Sequence, residues 1–241
     1  MDFRIVICLC FSLFTDVFSK ESRIYGGNPA AIHEFPHLVS IRTDYSNQHL
    51  CGGSIISQRN ILTAAHCLRD VLRYLEGVKV YTGTATVNDI YGNAVRIQDV
   101  HLHPHCDIMN PDSTFYHDIA MIKLSTKIEF NNLQNKIALP TRAPKTGDFA
   151  TIAGWGKTEY DLINSPILMQ SPVVILNNTD CASRVPLPMG DTQFCTYYSA
   201  GIGICSGDDG GSVVSNGELY GVISFSHGCA QGIPDSQIEN F

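Results

Sequence analysis

Apolar and polar residues alternate along most of this chain in short runs. The pattern recurs in PHLVSIRT (36–43), VKVYTG (78–83), AVRIQDVHLH (94–103), DIAMIKL (118–124), FATIAGWG (149–156) and LYGVISFS (219–226). A two-residue period sends successive side chains to opposite faces, so each run predicts a strand with one face toward a core. Gly, Pro, Asn and Asp separate the runs and supply the turns between them. The expectation is an all-β chain arranged as a sandwich or as one or two barrels. One segment departs from the alternation: AHCLRDVLRYL (65–75) predicts a short, weak helix. LPTRAPKTGD (139–148), rich in Pro and charge, is the expected connection between two units.

The start of the chain reads differently. IVICLCFSLF (5–14) is an apolar run too short to cross a bilayer, and it follows a short polar start that carries Arg4. Small residues come next. This predicts a secretory signal over 1–19 and a soluble, exported, extracellular product with no membrane association. Hydrophobic residues make up 44% of the chain and charged residues 16%, enough apolar material for a substantial core. The net charge of −7, without a basic block, argues against nucleic acid as a partner, because phosphate neutralisation needs clustered Lys and Arg.

Two of the nine cysteines, Cys8 and Cys10, fall in the leader. The other seven are Cys51, Cys67, Cys106, Cys181, Cys195, Cys205 and Cys229. An odd number in an exported chain leaves at least one outside any intramolecular bridge, and spacing alone does not choose the pairs. No Cys-x-x-Cys pair with matching histidines is present, so zinc is not expected on that ground.

Three separated pieces carry candidate chemistry: TAAHC with His66, HDIAMIKL with Asp118, and CSGDDGGSV around Asp209. Acyl transfer needs a nucleophile, a base to take its proton and a carboxylate to orient the base. Together with IYGG (24–27), CGGSII, GWG (154–156) and GVISFSHGCA (221–230), these pieces resemble the trypsin/chymotrypsin family of serine proteases, in order, from Ile24 nearly to the end.

That resemblance implies a chymotrypsin-like fold of two six-stranded antiparallel β-barrels, at about 24–135 and 136–241, with the site in the cleft between them. It implies disulfides Cys51–Cys67, Cys181–Cys195 and Cys205–Cys229, with Cys106 left over for a bridge to a partner chain. It also implies a propeptide at 20–23 cut after Arg23, which frees Ile24 to pair with Asp208. His66 and Asp118 match the base and its orienting carboxylate, and the N–H groups of Gly207 and Asp209 match the oxyanion hole.

The chain departs from the family where the reaction needs it most. The family reads Gly-Asp-Ser-Gly-Gly-Pro, and this chain reads Gly207-Asp208-Asp209-Gly210-Gly211-Ser212, placing Asp209 at the nucleophile. Attack by a carboxylate on a peptide would give a mixed anhydride, which reverts. An ionised aspartate offers His66 no proton to remove, and its charge repels the oxyanion that the hole exists to hold. Subtilisin loses about 10⁶-fold in rate without its nucleophile. Asp209 is expected either to flank His66 together with Asp118, favouring the charged ring, or to point to solvent.

The substrate pocket is altered as well. Gly203 and Ile204 stand at its base, Ser224, Phe225 and Ser226 on one wall, and Asp235 on the other. The family's C-terminal helix is expected to be missing, which questions the second barrel. HLHPH (101–105) sets three histidines on one strand face beside Cys106, but His-Pro is common here in the family, so no metal and no cofactor are expected. Asn177-Asn178-Thr179 is a glycosylation sequon.

The resulting expectation is a secreted, inactive protease homologue that binds an extracellular protein such as a protease, an inhibitor or a cascade component. Its layout resembles digestive-type arthropod proteases and the inactivated protease paralogues of parasitic mites, for which interference with host defence is the implied role. The alternatives are a weak endopeptidase that uses water activated by His66, and a storage or structural protein.

Overall fold

A computed structural model describes residues 24, 26–69, 71–89, 92–106, 116–157, 163–176, 178–184, 189–226, 228–230, 234 and 236–239. The expected signal and propeptide, with Arg23, and also Asn177 and Asp235, lie outside the described residues.

The first barrel closes in the order β2-β3-β4-β7-β6-β5. Its strands are β2 (Leu38–Thr43), β3 (His49–Ile55), β4 (Asn60–Thr63), β5 (Val78–Thr82), β6 (Asn93–Leu102) and β7 (Ala120–Leu124). All their pairings are antiparallel. The second sheet holds β8 (Phe149–Gly154), β9 (Met169–Leu176), β10 (Gln193–Tyr197), β11 (Ser212–Ser215), β12 (Glu218–Ser226) and β13 (Ser236–Glu239), with β1 (Asn28–Pro29) along β9. Its order is β9-β10-β13-β12-β11-β8, and β8 pairs with β9, so this sheet also returns on itself.

Alternation explains the inward faces. In β9, Met169, Ser171, Val173 and Ile175 are buried, while the residues between them are more open. Val80, Ile41, Ile61 and Ile122 fill the first barrel, and Ile152, Val213, Tyr220 and Ile223 fill the second. Leu219 and Val222 of β12 pack into the first cluster, so apolar contact runs from one barrel into the other and fixes the cleft between them. The disulfides are Cys51–Cys67, Cys181–Cys195 and Cys205–Cys229, and Cys106 is in none of these three.

Two expectations change. The described residues of the segment 65–75 form no α-helix; they make tight 3-10 turns at His66–Leu68 and Val71–Arg73, followed by another at Leu75–Gly77. Cys67 is tied to β3 and the N–H of His66 is taken by a side chain, so local helical spacing yields to long-range anchors. Among the described residues the α-helix is the short one at Asn178–Ala182, and the sheet of the second barrel is completed by β13 between β10 and β12. The expected second six-stranded barrel is thus completed by a strand.

Candidate active site

His66 follows β4 across the buried pair Ala64 and Ala65, and Asp118 lies two residues ahead of β7. Because β4 and β7 are paired, the two residues leave neighbouring strands side by side. The His66 Nδ1–H donates to Asp118 Oδ2 at 2.7 Å, and the His66 backbone N–H donates to Oδ1 at 2.8 Å. Ser224, from β12 of the other barrel, donates its hydroxyl to Oδ2 at 2.6 Å. Ser224, expected on the pocket wall, also uses its hydroxyl to hold the orienting carboxylate. Asp118 is fully buried, so these three donors supply what water would otherwise give. Burial opposes charge on His66, but the hydrogen bond and charge of Asp118 and the charge of Asp209 outweigh it, and the ring's pKa is raised.

The turn from Cys205 to Gly211 carries the third piece. Gly207 and Gly210 have φ of 98° and 77°, the left-handed region that glycine enters without penalty. A Cβ on Gly210 would run into Thr63 Oγ1 and the Gly52 carbonyl, so this turn presses against the first barrel. Gly52 N–H donates to the Asp209 carbonyl at 2.8 Å and locks the contact. Asp209 is half-buried and lines the cleft. It accepts the N–H of Gly207 at 3.3 Å, one of the two donors the family resemblance assigns to the oxyanion hole. Burial pushes the Asp209 carboxyl up; His66 and the Gly207 N–H pull it down, and Asp118 adds to the rise.

Asp208 turns the other way. It is buried and accepts the N–H groups of Gly156 at 2.7 Å and Cys205 at 3.0 Å. Burial pushes it up to about 7, against the pull of those two bonds and with a further push from Asp209. Ile24 is buried in the second core with Ile204, Val213 and Tyr220. Ile204 is thus a core residue rather than part of the pocket lining. Gly203 beside it is buried, while Phe225 and Ser226 are half-buried near the end of β12.

Sequence reasoning missed a supporting chain behind the turn. His49 Nε2–H donates to the Gly207 carbonyl at 2.8 Å, so its Nδ1 accepts, and the Ser40 hydroxyl donates to it at 2.6 Å. Arg42 Nε donates to Ser40 Oγ at 2.8 Å, and its other nitrogens reach the carbonyls of Thr86, Val87 and Asp89. Burial holds His49 at about 4, so the ring is neutral and serves as a fixed donor. Asn164 adds a bond from Nδ2 to the His49 carbonyl at 2.9 Å. Buried polar residues on the face of β2 opposite Val39 and Ile41 were the available signal: Ser40 and Arg42 fall in a run that otherwise reads as core.

The cleft holds ≈ 380 Å³ and is lined by His49, His66, Arg69, Lys157, Ser206 and Asp209, among others. Cys51, His66 and Cys67 bring potential ligand atoms together, but both sulfurs are spent in a disulfide, so no thiolate is offered to a metal. The histidines of HLHPH do not share one strand face: β6 ends at Leu102, and His105 lies in the turn beyond it.

Known proteins place this geometry. A family model described as Trypsin matches residues 24–238. The chain is 34% identical to "Trypsin-10" of Gadus morhua over 216 residues, covering 89% of this chain and 85% of that protein. It is 33% identical to "Serine protease 1" of Homo sapiens over 218 residues, covering 89% and 83%. Among solved structures, neuropsin, a serine protease of mouse brain, superposes with a TM-score of 0.79 at 23% identity, over 89% of this chain and 92% of that one. With a pair of β-barrels, a buried carboxylate holding a cleft histidine, and a glycine-rich turn across from it, the chain belongs to the trypsin family.

Proposed function

We propose that this chain is a secreted serine-protease homologue that does not hydrolyse peptide bonds and acts by binding an extracellular protein. The observation that carries this reading is the carboxylate of Asp209 on the Gly207 N–H at 3.3 Å. The residue at the nucleophile position supplies negative charge to the place where a tetrahedral intermediate would need a donor. Substrate carbonyl and protein carboxylate compete for one N–H, and the carboxylate is tethered. A carbonyl arriving from solution must displace an acceptor already held by the same turn.

The partner in this reading is a protease, an inhibitor or a component of a proteolytic cascade, including one of host defence, that recognises the trypsin-like rim. The test is hydrolysis of a broad peptide library by the chain cleaved after Arg23, beside its Asp209→Ser variant. Activity in the variant alone supports a machine silenced at one position. Turnover by the natural chain, abolished by His66→Ala, would overturn the proposal.

A second reading, a weak hydrolase using water, is favoured by one observation. The bonds from Ser224 and His66 to Asp118 are those of a working base, at 2.6 and 2.7 Å. The same assay separates the two readings.

A further inference from the structure

Away from the cleft, three imidazoles converge where β6 ends and β7 begins. His103 and His105 lie in the turn after β6, and His117 precedes β7. The rings of His103 and His117 are stacked with centroids 4.5 Å apart, and His105 lies 5.7 Å from each. His101, the other histidine of the run, is directed elsewhere, with Nε2 3.4 Å from an Asp99 carboxylate oxygen. His117 is absent from the HLHPH motif, and long-range pairing of β6 with β7 brings it in.

The backbone fixes all three positions. His103 N–H donates to the Ile119 carbonyl at 3.0 Å, Ile119 N–H to the His117 carbonyl at 2.7 Å, and Cys106 N–H to the His103 carbonyl at 2.9 Å. His117 adopts φ of 54°, in the left-handed region that few non-glycine residues occupy.

We propose that His103, His105 and His117 form a binding site for a divalent transition-metal ion of the zinc class. The spacing is right. An imidazole nitrogen sits about 2.0–2.1 Å from zinc, which puts each ring centroid about 3.2 Å from the ion and tetrahedrally arranged rings about 5.2 Å apart. The observed centroid separations of 4.5, 5.7 and 5.7 Å bracket that value; the His103 and His117 rings are stacked, so binding requires these side chains to turn until their nitrogens face one ion. Three neutral nitrogen donors suit zinc, copper, nickel or cobalt and suit calcium or magnesium poorly. Three protein ligands leave a fourth position for water or for a donor on a partner. His105 is exposed and the other two are half-buried, so the ion enters from solvent. His117 adjoins Asp118, so an ion held there is anchored one residue from the carboxylate that orients His66.

The experiment is titration of the full chain, with its disulfides intact, by Zn²⁺ in a calorimeter and by Co²⁺ in a visible spectrometer. Expected are one ion per chain, the intense visible bands of tetrahedral cobalt, and a Zn²⁺-dependent rise in Tm. His105→Ala and His117→Ala are each expected to weaken binding at least about 10-fold, by comparison with the loss that even outer-shell changes cause. His105 is exposed, so its variant tests the site without loss of the fold, and His101→Ala is expected to bind like the natural chain. Absence of saturable binding would overturn the proposal, as would undiminished binding by His105→Ala and His117→Ala. Equal weakening by His101→Ala or His66→Ala would place the ion elsewhere and overturn it too.

Discussion

Replacing Asp208 with asparagine is expected to change how the stability of the uncleaved chain depends on pH. In the folded chain this carboxyl is buried and pushed up to about 7, against an ordinary 3.8. A folded-state pKa raised above the unfolded one contributes stability that is fully present below about 3.8 and lost as pH rises through about 7. In the unfolded chain the group is ionised at both pH 5 and pH 7. In the folded chain it is protonated at pH 5 and about half protonated at pH 7. At 1.36 kcal/mol per pKa unit, lowering the pH from 7 to 5 stabilises the natural chain by roughly 2 kcal/mol through this one group. The amide introduced by Asp208→Asn does not titrate, so the variant lacks that gain.

Urea denaturation at pH 5, 6 and 7 measures the difference. The fluorescence of Trp155 is a clean probe, because it is the chain's one tryptophan and is buried with its ring 5.6 Å from that of His49. Buried His37 and His49, both held at about 4, work in the opposite sense. Their stability is present above about 6.5 and lost as pH falls toward 4, and they act alike in both proteins, so they cancel in the comparison. Stability curves that run parallel from pH 5 to pH 7 would refute the reasoning.

Asp209→Asn removes a charge that favours the protonated His66 ring, so the His66 pKa measured by NMR should fall; an unchanged value would detach Asp209 from the ring. Gly210→Ala sets a Cβ against Thr63 and Gly52 at a φ of 77°, and is expected to cost at least about 2 kcal/mol, read as a lower urea midpoint. Arg42→Met strips the bonds to Ser40 and to the carbonyls of Thr86, Val87 and Asp89 and is expected to lower stability by about 3 kcal/mol or more. A chain cleaved after Arg23 should lose the Asp208-linked pH slope if the new amine at Ile24 reaches that carboxylate, and the same denaturation series checks it.

Much of this architecture was legible in the sequence, for reasons that differ by element. Strands β2, β5, β6, β7, β8 and β12 carry an apolar alternation in sequence, because each sends apolar side chains into or against a barrel core. β13 was not legible: Ser236-Gln237-Ile238-Glu239 has a single apolar residue, and its place is set by ladders to β10 and β12. His66 and Asp118 stood out through their surrounding motifs. The bond from Ser224 to Asp118 was not legible, because it depends on which barrel faces the residue, a fact no local window holds. His49 and His117 were passed over for the same reason: their partners, Gly207 and His103, are brought to them by tertiary pairing.

The central position of β13 bears on how the protein is made. It hydrogen-bonds to β12 on one side and to β10 on the other, so the second barrel has a gap in its wall until residue 239 has left the ribosome. During synthesis all six strands of the first barrel are present once Leu124 has emerged, while the second waits with two open strand edges. Nascent chains stalled before residue 236 should therefore bind chaperones through the second half and resist protease through the first.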